Sequence, residues 1–377
     1  MTIRSKINKE ILFAKKIHVF FEKISTLGSG KKSLPALRIC SKLPANSFIY
    51  MSTSIQKIAI LTSGGEAPGM NACIRALVRT GIYYGFEMWG VTRGYDGLIK
   101  GDFKKMDLRS VSNIINRGGT ILKTARSEEF RTEGGMEKAY QQLQERGINA
   151  MVVVGGDGSF KGAYHFSNKY DVAVIGLPGT IDNDLYGTDY TIGYDTATNT
   201  VVDAIDKIRD TADAHNRLFF IEVMGRDAGY IALNAGIAAG CEDILIPETK
   251  TSIDDLVVSL KKGRANRKTS GLVIVAEGDE EGGAYEVARK VKEQFDGYEM
   301  KVTILGHIQR GGSPSCFDRV LASRLGVAAI EGLKDGMSKV MAGIINNKVV
   351  YTPLTQAAKL HSDMDDDLYR ISKILSI

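Results

Sequence analysis

Residues 151–159 read Met-Val-Val-Val-Gly-Gly-Asp-Gly-Ser, a short apolar run that ends in a glycine-rich turn before a stretch of helix length. The same order of strand, turn and helix begins at Ile58–Leu61. Repetition of this unit is typical of an α/β fold with a mainly parallel sheet. Two such sheets fit the 327 residues that follow residue 50 of the 377-residue chain better than one.

The remaining segments extend this alternation along the chain. The predicted strands are Ile58–Leu61, Met151–Val154, Ala173–Leu177, Leu218–Met224, Ile244–Ile246, Leu272–Ala276 and Val302–Leu305, and the predicted helices include Asn71–Tyr84, Thr196–Thr211 and Cys316–Leu333. In open parallel sheets, ligands bind beyond the carboxyl ends of the strands. We therefore expect the loops that follow several of these strands to converge on one cleft.

The charge of the chain is unevenly distributed. The formal net charge is +5, but residues 1–50 contain ten Lys or Arg and two acidic residues, which leaves 39 basic and 42 acidic residues in the rest. A slightly acidic body does not indicate a nucleic-acid partner. We predict that residues 1–50 are a basic extension outside the fold. A transit peptide, an amphipathic surface helix and a start codon placed too far upstream stay open as its origin.

Cysteine spacing and hydropathy exclude several classes of protein. The four cysteines lie far apart without a CxxC pair, which excludes a common zinc site and favours reduced thiols. No apolar stretch of about 18 residues is present, so no membrane-spanning helix is expected. These features predict a cytoplasmic protein without a membrane partner.

Two glycine-rich loops have the composition of phosphate-binding turns. In the loop at 62–71, glycines let backbone N–H groups approach a phosphate, and a following helix adds its positive end. In the loop at 155–159, Asp157 can hold Mg²⁺ together with phosphate oxygens. A tight strand–helix turn is the alternative for the first loop. Dinucleotide binding is the alternative for the second, but its glycine spacing is one residue too long for GxGxxG.

Three further loops carry charged side chains suited to phosphoryl transfer. Pro178–Asp184 places Asp182 and Asp184 after a strand, where one can be a general base, and Thr180 can donate to a phosphoryl group. Met224-Gly225-Arg226 and residues 306–314 add arginines and a histidine that suit phosphate recognition. An Asx-rich turn, a surface salt bridge and a structural histidine are the respective alternatives. Together, these loops contain the groups needed for phosphoryl transfer from a magnesium nucleotide to a hydroxyl.

The motifs TSGGEAPGMN, INRGGT, GGDGS, PGTIDND, GTDYTIG, VMGR and LGHIQRGGSP, in this order, resemble those of the phosphofructokinase family, in its bacterial ATP-dependent form. The resemblance covers about residues 57–333. It implies two Rossmann-like three-layer domains with the active site in the cleft between them, phosphorylation of fructose 6-phosphate at its 1-hydroxyl by MgATP, a homotetramer and allosteric control. The implied ATP-binding domain spans 51–191 plus 308–357, and the implied fructose 6-phosphate domain spans 192–307 plus 358–377.

The resemblance also implies roles for individual residues. Asp182 would be the base, Asp184 would support metal and geometry, Thr180 and Arg226 would stabilise the transition state, and Asp157 would hold Mg²⁺. The residues expected around ATP are Gly65, Arg126, Ser127, Gly156, Asp157, Gly158 and Ser159. Those expected around the sugar phosphate are Thr180, Asp182, Arg217 (from a neighbouring subunit), Met224, Gly225, Arg226, Glu277, Lys301, His307 and Arg310.

Some positions depart from the family pattern. Pyrophosphate-using relatives carry larger side chains at the positions of Gly158 and Gly179, so two glycines favour ATP as the donor. Lys301 replaces a usual arginine and loses the bidentate fork, so weaker sugar-phosphate affinity is expected. The family's anionic effector site is matched only in part, at Arg75, Arg79, Arg209, Gly240, Glu242 and Lys268. A catalytically weak regulatory paralogue that binds sugar phosphate is therefore the alternative function.

Overall fold

The computed structural model describes residues 55–358 and 366–375, so the predicted extension over residues 1–50 lies outside the described residues. Strands and helices alternate along the chain as predicted. The strands are β1 Lys57–Thr62, β2 Glu87–Val91, β3 Phe103–Met106, β4 Ala150–Gly155, β5 Ala173–Pro178, β6 Arg217–Val223, β7 Asp243–Leu245, β8 Gly271–Ala276, β9 Glu299–Ile304, β10 Val340–Ile345 and β11 Lys348–Pro353.

Helices connect most of the parallel strands, because parallel neighbours need a crossover connection. They are α1 Met70–Tyr83, α2 Gly94–Lys100, α3 Glu133–Glu145, α4 Asp157–Lys169, α5 Tyr194–His215, α6 Tyr230–Ala238, α7 Ile253–Ala265, α8 Ala284–Gln294, α9 Cys316–Lys334, α10 Leu354–Ala357 and α11 Asp366–Leu375. Short 3₁₀ turns occupy Glu129–Arg131 and Gly306–Arg310. In the described part of the chain, no helix is both long and apolar enough to cross a membrane.

The strands form two sheets, as the sequence predicted. The larger has the order β11-β10-β5-β4-β1-β2-β3, and the smaller has the order β7-β8-β6-β9. All pairs are parallel except β2 with β3 and β10 with β11. The central strands β4 and β5 are buried along their whole length, as expected for a parallel sheet covered on both faces.

Register places the functional loops at one edge of each sheet. Thr62 pairs with Val154, and Gly155 pairs with Pro178, so β1, β4 and β5 end side by side. In the smaller sheet, Val223 pairs with Ala276, which aligns the ends of β6 and β8. The C-terminal helix α11 packs on the smaller sheet through Lys373 Nζ, which donates to Asp243 Oδ1 at 2.8 Å. The domain boundaries inferred from the sequence stay a prediction.

Candidate active site

The two loops after β4 and β5 contact each other. The N–H of Gly179 donates to the carbonyl of Gly155 at 3.0 Å, and a Cβ atom built on Gly156 would lie 3.7 Å from Cβ of Thr180. The glycine-rich loop and the loop that carries Asp182 are therefore neighbours. A phosphate bound at the first loop would lie close to the second.

Asp182 has the environment of a general base. Its Oδ1 atom is buried and has no hydrogen-bond partner. Burial, with a smaller contribution from the nearby charge of Asp184, raises the pKa of Asp182 to about 6, against the lowering effects of the Arg310 charge and of a hydrogen bond from Thr180. A carboxyl with a pKa near 6 is ionised at neutral pH and still accepts a proton readily.

Asp157 has one carboxylate oxygen available for a cation. Its Oδ2 accepts from Lys161 Nζ at 2.7 Å, whereas its Oδ1 is buried without a partner. Among the described residues, no three His, Cys, Asp or Glu side chains converge into a cluster. This donor set fits Mg²⁺ that arrives with a nucleotide, because Mg²⁺ is commonly held by one or two carboxylates plus phosphate oxygens and water.

The space beside Gly158 is open. A Cβ atom on Gly158 would have no heavy atom within 4 Å. Thr124 Oγ1 donates to the carbonyl of Gly64 at 2.7 Å, which ties the loop containing Arg126 and Ser127 to the first glycine loop. Arg126 is exposed beside this junction. The hydroxyl of Tyr95 donates to the carbonyl of Ser159 at 2.6 Å, which holds the first turn of α4 against α2.

Gly179 differs from Gly158 in what surrounds it. A Cβ atom on Gly179 would lie 2.8 Å from Val154 Cγ1 and 3.1 Å from Met70 Cε. Core packing therefore requires glycine at residue 179. At residue 158, by contrast, a side chain would enter open space. Of the two glycines used to predict ATP as the donor, only Gly158 bears directly on space for a nucleotide.

Loops after three strands of the smaller sheet are joined by two side chains. Oε1 of Glu277 accepts the N–H of Gly225 at 3.3 Å and that of Arg226 at 2.8 Å. Oε1 of Gln309 accepts the N–H of Met224 at 3.3 Å, and its Nε2 donates to the carbonyl of Gly306 at 3.0 Å. The structure thus brings these predicted sugar-phosphate residues into one cluster.

The charged side chains of this cluster are accessible. Arg226 has its backbone in the left-handed region, with φ of 57°, and its side chain is exposed. His307 is exposed on the Gly306–Arg310 turn, and Arg310 is half-buried. Because Arg310 lies close enough to Asp182 to lower its pKa, this turn faces the carboxylate loop across the cleft.

Arg217 and Lys301 lie apart from the other predicted sugar-phosphate residues. Arg217 is the first residue of β6, and Met224 follows the last, a separation of roughly 20 Å at the usual rise per residue. Glu299 binds both cations, Arg217 Nε at 2.9 Å and Lys301 Nζ at 2.8 Å. These two contacts lower the pKa of Glu299 to about 2. Arg217 therefore lies at the opposite end of β6, and Lys301 lies next to it on β9, opposite Phe219.

The predicted effector residues fall into more than one group. Arg209 Nη2 donates to the carbonyls of Ala239 and Gly240. Glu242 Oε2 accepts the N–H of Leu272, and Lys268 closes the turn after α7 through its N–H to the carbonyl of Gly263 at 3.0 Å. Arg75 and Arg79 lie one turn apart on α1, a helix of the larger-sheet side that packs against α9.

Sequence reasoning missed several side chains that shape the site. Lys161 neutralises Asp157, Gln309 joins two loops, and Glu299 binds Arg217 and Lys301. Lys161 follows Asp157 by one helical turn, a spacing that predicts such a pair once the helix is known. Gln309 lies inside a motif already singled out, but nothing in the sequence indicates that its side chain is fully buried.

The chain is similar to known proteins over most of its length. The phosphofructokinase family profile matches residues 57–333. An ATP-dependent 6-phosphofructokinase of Cytophaga hutchinsonii is 55% identical over 322 residues, which cover 85% of this chain and 98% of the relative. An enzyme of the same name from Halalkalibacterium halodurans is 52% identical over 323 residues, with 86% and 100% covered.

Solved structures give the same result. Phosphofructokinase from Saccharomyces cerevisiae superposes with a TM-score of 0.77 at 37% identity over 85% of this chain, which spans about half (46%) of the yeast chain. A pyrophosphate-dependent phosphofructokinase from Marinobacter aquaeolei shares the fold, with a TM-score of 0.74, 22% identity, and 85% and 91% of the two chains covered. The family match and the identities above 50% over whole relatives leave one conclusion: the chain belongs to the phosphofructokinase family.

Proposed function

We propose that the chain is an ATP-dependent 6-phosphofructokinase, which transfers the γ-phosphoryl group of ATP to the 1-hydroxyl of fructose 6-phosphate. The products are fructose 1,6-bisphosphate and ADP, and the reaction is a committed step of glycolysis. One observation carries this proposal, the identity above 50% with bacterial relatives that bear this name and match along nearly their whole length. The geometry of the cleft supports the residue roles that we propose below.

Asp182 acts as the base in this proposal. Its unpartnered Oδ1 accepts the proton of the 1-hydroxyl as the hydroxyl oxygen forms its bond to the γ-phosphorus, while the bond from that phosphorus to the oxygen of ADP breaks. The hydroxyl of Thr180 accepts the N–H of Asp182 at 3.2 Å and, by hydrogen bonding to the Asp182 carboxyl, lowers the pKa of that group, so in this proposal Thr180 lies between the base and the transferring group. Arg226, exposed beside Glu277, supplies positive charge.

The glycine loops hold the nucleotide. Gly65, Gly156 and Gly158 present backbone to the phosphates and base, and Arg126, Ser127 and Ser159 line the same side. Oδ1 of Asp157 would be the chain's ligand for Mg²⁺ that arrives with ATP, and the ion would supply positive charge against the phosphates. Lys161 Nζ lies 2.7 Å from Oδ2 of Asp157 and balances its charge. Asp184 would support the metal and the geometry of the site.

The sugar phosphate is bound from two directions in our proposal. Gly225, Arg226, Glu277, His307 and Arg310 contact it within one chain. Arg217 lies roughly 20 Å from that cluster along β6, and Lys301 on the neighbouring strand β9 shares Glu299 with it, an arrangement that suits contact with a site in a neighbouring copy. We propose a homotetramer with shared substrate sites and an anionic effector at the cationic group that includes Arg209. A cytoplasmic location stays a prediction from cysteine spacing.

A regulatory paralogue is the weaker alternative, because a protein that only binds sugar phosphate has no need of a buried carboxylate with a raised pKa. The experiment that separates the two is release of ADP by the full chain with Mg²⁺, with and without fructose 6-phosphate, together with identification of the phosphorylated sugar. Strictly sugar-dependent release, with fructose 1,6-bisphosphate as product, supports the enzyme. Sugar-phosphate binding without ADP release supports the paralogue. Size-exclusion chromatography with light scattering tests the tetramer.

A further inference from the structure

Asp318 is a fully buried carboxylate in the first turn of α9, outside the residues assigned above. Oδ1 accepts the N–H of Gly193 at 2.8 Å. Oδ2 accepts both the N–H of Thr196, at 2.8 Å, and the Thr196 hydroxyl. Three donors from the start of α5 thus converge on one side chain of α9.

The residues before α5 are tied to the loop that carries Asp182. The N–H of Ile192 donates to the carbonyl of Pro178 at 2.8 Å, and Thr191 Oγ1 donates to the carbonyl of Thr180 at 2.7 Å. Oδ1 of Asn183 accepts the N–H of Thr191 at 2.8 Å. Residues 191–193 therefore connect the Asp182 loop directly to the carboxylate of Asp318.

The residues before α9 lead to Arg310. Ser315 caps α9 by accepting the N–H of Asp318 at 3.2 Å, and its own N–H donates to Thr196 Oγ1 at 2.9 Å. Only four residues separate Ser315 from Arg310. The first glycine loop also touches this point, since a Cβ atom on Gly69 would lie 3.6 Å from Cβ of Asp318.

Keeping this carboxylate charged is costly. Burial raises the pKa of Asp318 to about 6, although the donors from Gly193 and Thr196 lower it. Two hydrogen bonds from backbone N–H groups and one from a hydroxyl partly offset that cost, since charge-assisted hydrogen bonds are the stronger kind. Capping of α9 does not explain this buried charge, because Ser315 already caps the helix. The charge lies instead at the junction of three functional loops.

We propose that Asp318 is a positioning residue that sets the placement of the Asp182 loop relative to the Arg310 turn. The proposal rests on the proposed function for its kinetic consequences, but not for its structural ones. Asp318 does not contact substrate; it acts through Thr196, Gly193 and Ser315. Displacement of a reacting group by about 1 Å can lower turnover on the order of 100-fold.

The chain offers matched variants at Thr196. Thr196→Val is nearly isosteric but removes the hydroxyl that joins Asp318 to Ser315, whereas Thr196→Ser keeps it. Thr200→Val is the control, because the Thr200 hydroxyl donates only along its own helix, to the carbonyl of Thr196 at 2.9 Å. Asp318→Asn should have the largest effect, because it removes the negative charge itself. If Asp318→Asn does not fold, the proposal is tested with Thr196→Val alone.

Kinetics give the first measurement. With Asp318→Asn, we expect kcat with fructose 6-phosphate to fall on the order of 10- to 100-fold, and with Thr196→Val about threefold to tenfold. Thr196→Ser and Thr200→Val should stay within about twofold of the unmodified chain. The dissociation constant for MgADP, measured by calorimetry, should change less than about twofold in every variant. Unchanged kcat in Thr196→Val and Asp318→Asn would overturn the proposal.

Amide hydrogen exchange gives a second measurement that needs no activity. In Thr196→Val, exchange at residues 178–183 and 306–314 should accelerate together, while β4 stays protected as in Thr200→Val. Equal acceleration in β4 would show general destabilisation and overturn the proposal, as would no change in either loop. If the unmodified chain does not turn over fructose 6-phosphate, the proposed function fails, while exchange still decides the role of Asp318.

Discussion

The guanidinium of Arg310 lies against Gly65 and occupies the space that a Cβ atom on residue 65 would need. The two residues come from different sheets, one from the loop after β1 and one from the turn after β9. Their contact joins the side of the cleft assigned to ATP with the side assigned to the sugar phosphate. Glycine at residue 65 is therefore a condition for the placement of Arg310.

Substitution of Gly65 by alanine tests this contact. The clash is with the end of a flexible side chain, so Gly65→Ala should shift Arg310 and leave the fold intact. We expect kcat/KM for fructose 6-phosphate to fall about tenfold, since one cation would leave its position. Gly134→Ala, on an exposed helix position with no heavy atom within 4 Å, is the control and should stay unaffected. An unchanged kcat/KM in Gly65→Ala would contradict the assignment.

The pKa of Asp182 predicts the acid limb of the pH profile. Because that pKa is raised to about 6, kcat/KM should fall tenfold per pH unit below a midpoint near 6, as the base becomes protonated. The positive charge of Arg310 lowers this pKa, so Arg310→Gln should move the midpoint to higher pH. Arg324→Gln is the control, because it removes only an exposed hydrogen bond to Asn347, and it should leave the midpoint of the pH profile unchanged. A lower midpoint in Arg310→Gln would contradict the account.

Lys301 is expected to limit affinity for the sugar phosphate. Its ammonium binds as a point charge, whereas arginine can bind a phosphate through two parallel hydrogen bonds. Lys301→Arg should therefore lower KM for fructose 6-phosphate by about threefold to tenfold with little change in KM for ATP. Lys100→Arg, at an exposed pair with Asp96, is the matched control. Equal KM values for the unmodified chain and Lys301→Arg would remove this role.

The two glycines used to predict the donor should respond differently to alanine. Gly158→Ala places a methyl group in open space, so stability should be retained while KM for ATP rises. Gly179→Ala forces Val154 and Met70 apart, which should lower the free energy of unfolding by about 1–3 kcal/mol. Chemical denaturation and steady-state kinetics on both variants check this. Equal destabilisation of the two would show that residue 158 is packed as tightly as residue 179.

Continuous apolar runs between glycine turns predicted most of the buried strands of both sheets. Strands β2, β3, β10 and β11 were not predicted. Short segments with mixed polarity such as Glu87–Val91 lack that signal, whereas Val340–Ile345 is apolar and mostly buried and was missed although it has the signal. The hairpin between β10 and β11 has a turn signal in its sequence, the pair Asn346 and Asn347. These residues adopt φ of 50° and 60°, which asparagine tolerates best among residues with a side chain.

Motifs predicted which loops form the site but not how they are held. Asp182 and Asp157 could be named from their positions after strands. The contact of Gln309 with Met224 depends on the register between β6 and β9, and the binding of Arg217 by Glu299 depends on the same register. Asp318 joins segments more than 120 residues apart in the chain, at Gly193 and Thr196. Contacts of this range follow from the assembled fold and leave no local pattern.

The central claim is that the cleft transfers a phosphoryl group from ATP, with Asp182 as base. The most direct measurement is formation of fructose 1,6-bisphosphate by the full chain, with ATP and with pyrophosphate side by side, for the unmodified protein, Asp182→Asn and the exposed control Asp203→Asn. The account predicts product with ATP alone, a loss of about 10²–10⁴ in kcat for Asp182→Asn, and no loss for the control. Product with pyrophosphate alone, or near-full turnover in Asp182→Asn, would contradict it.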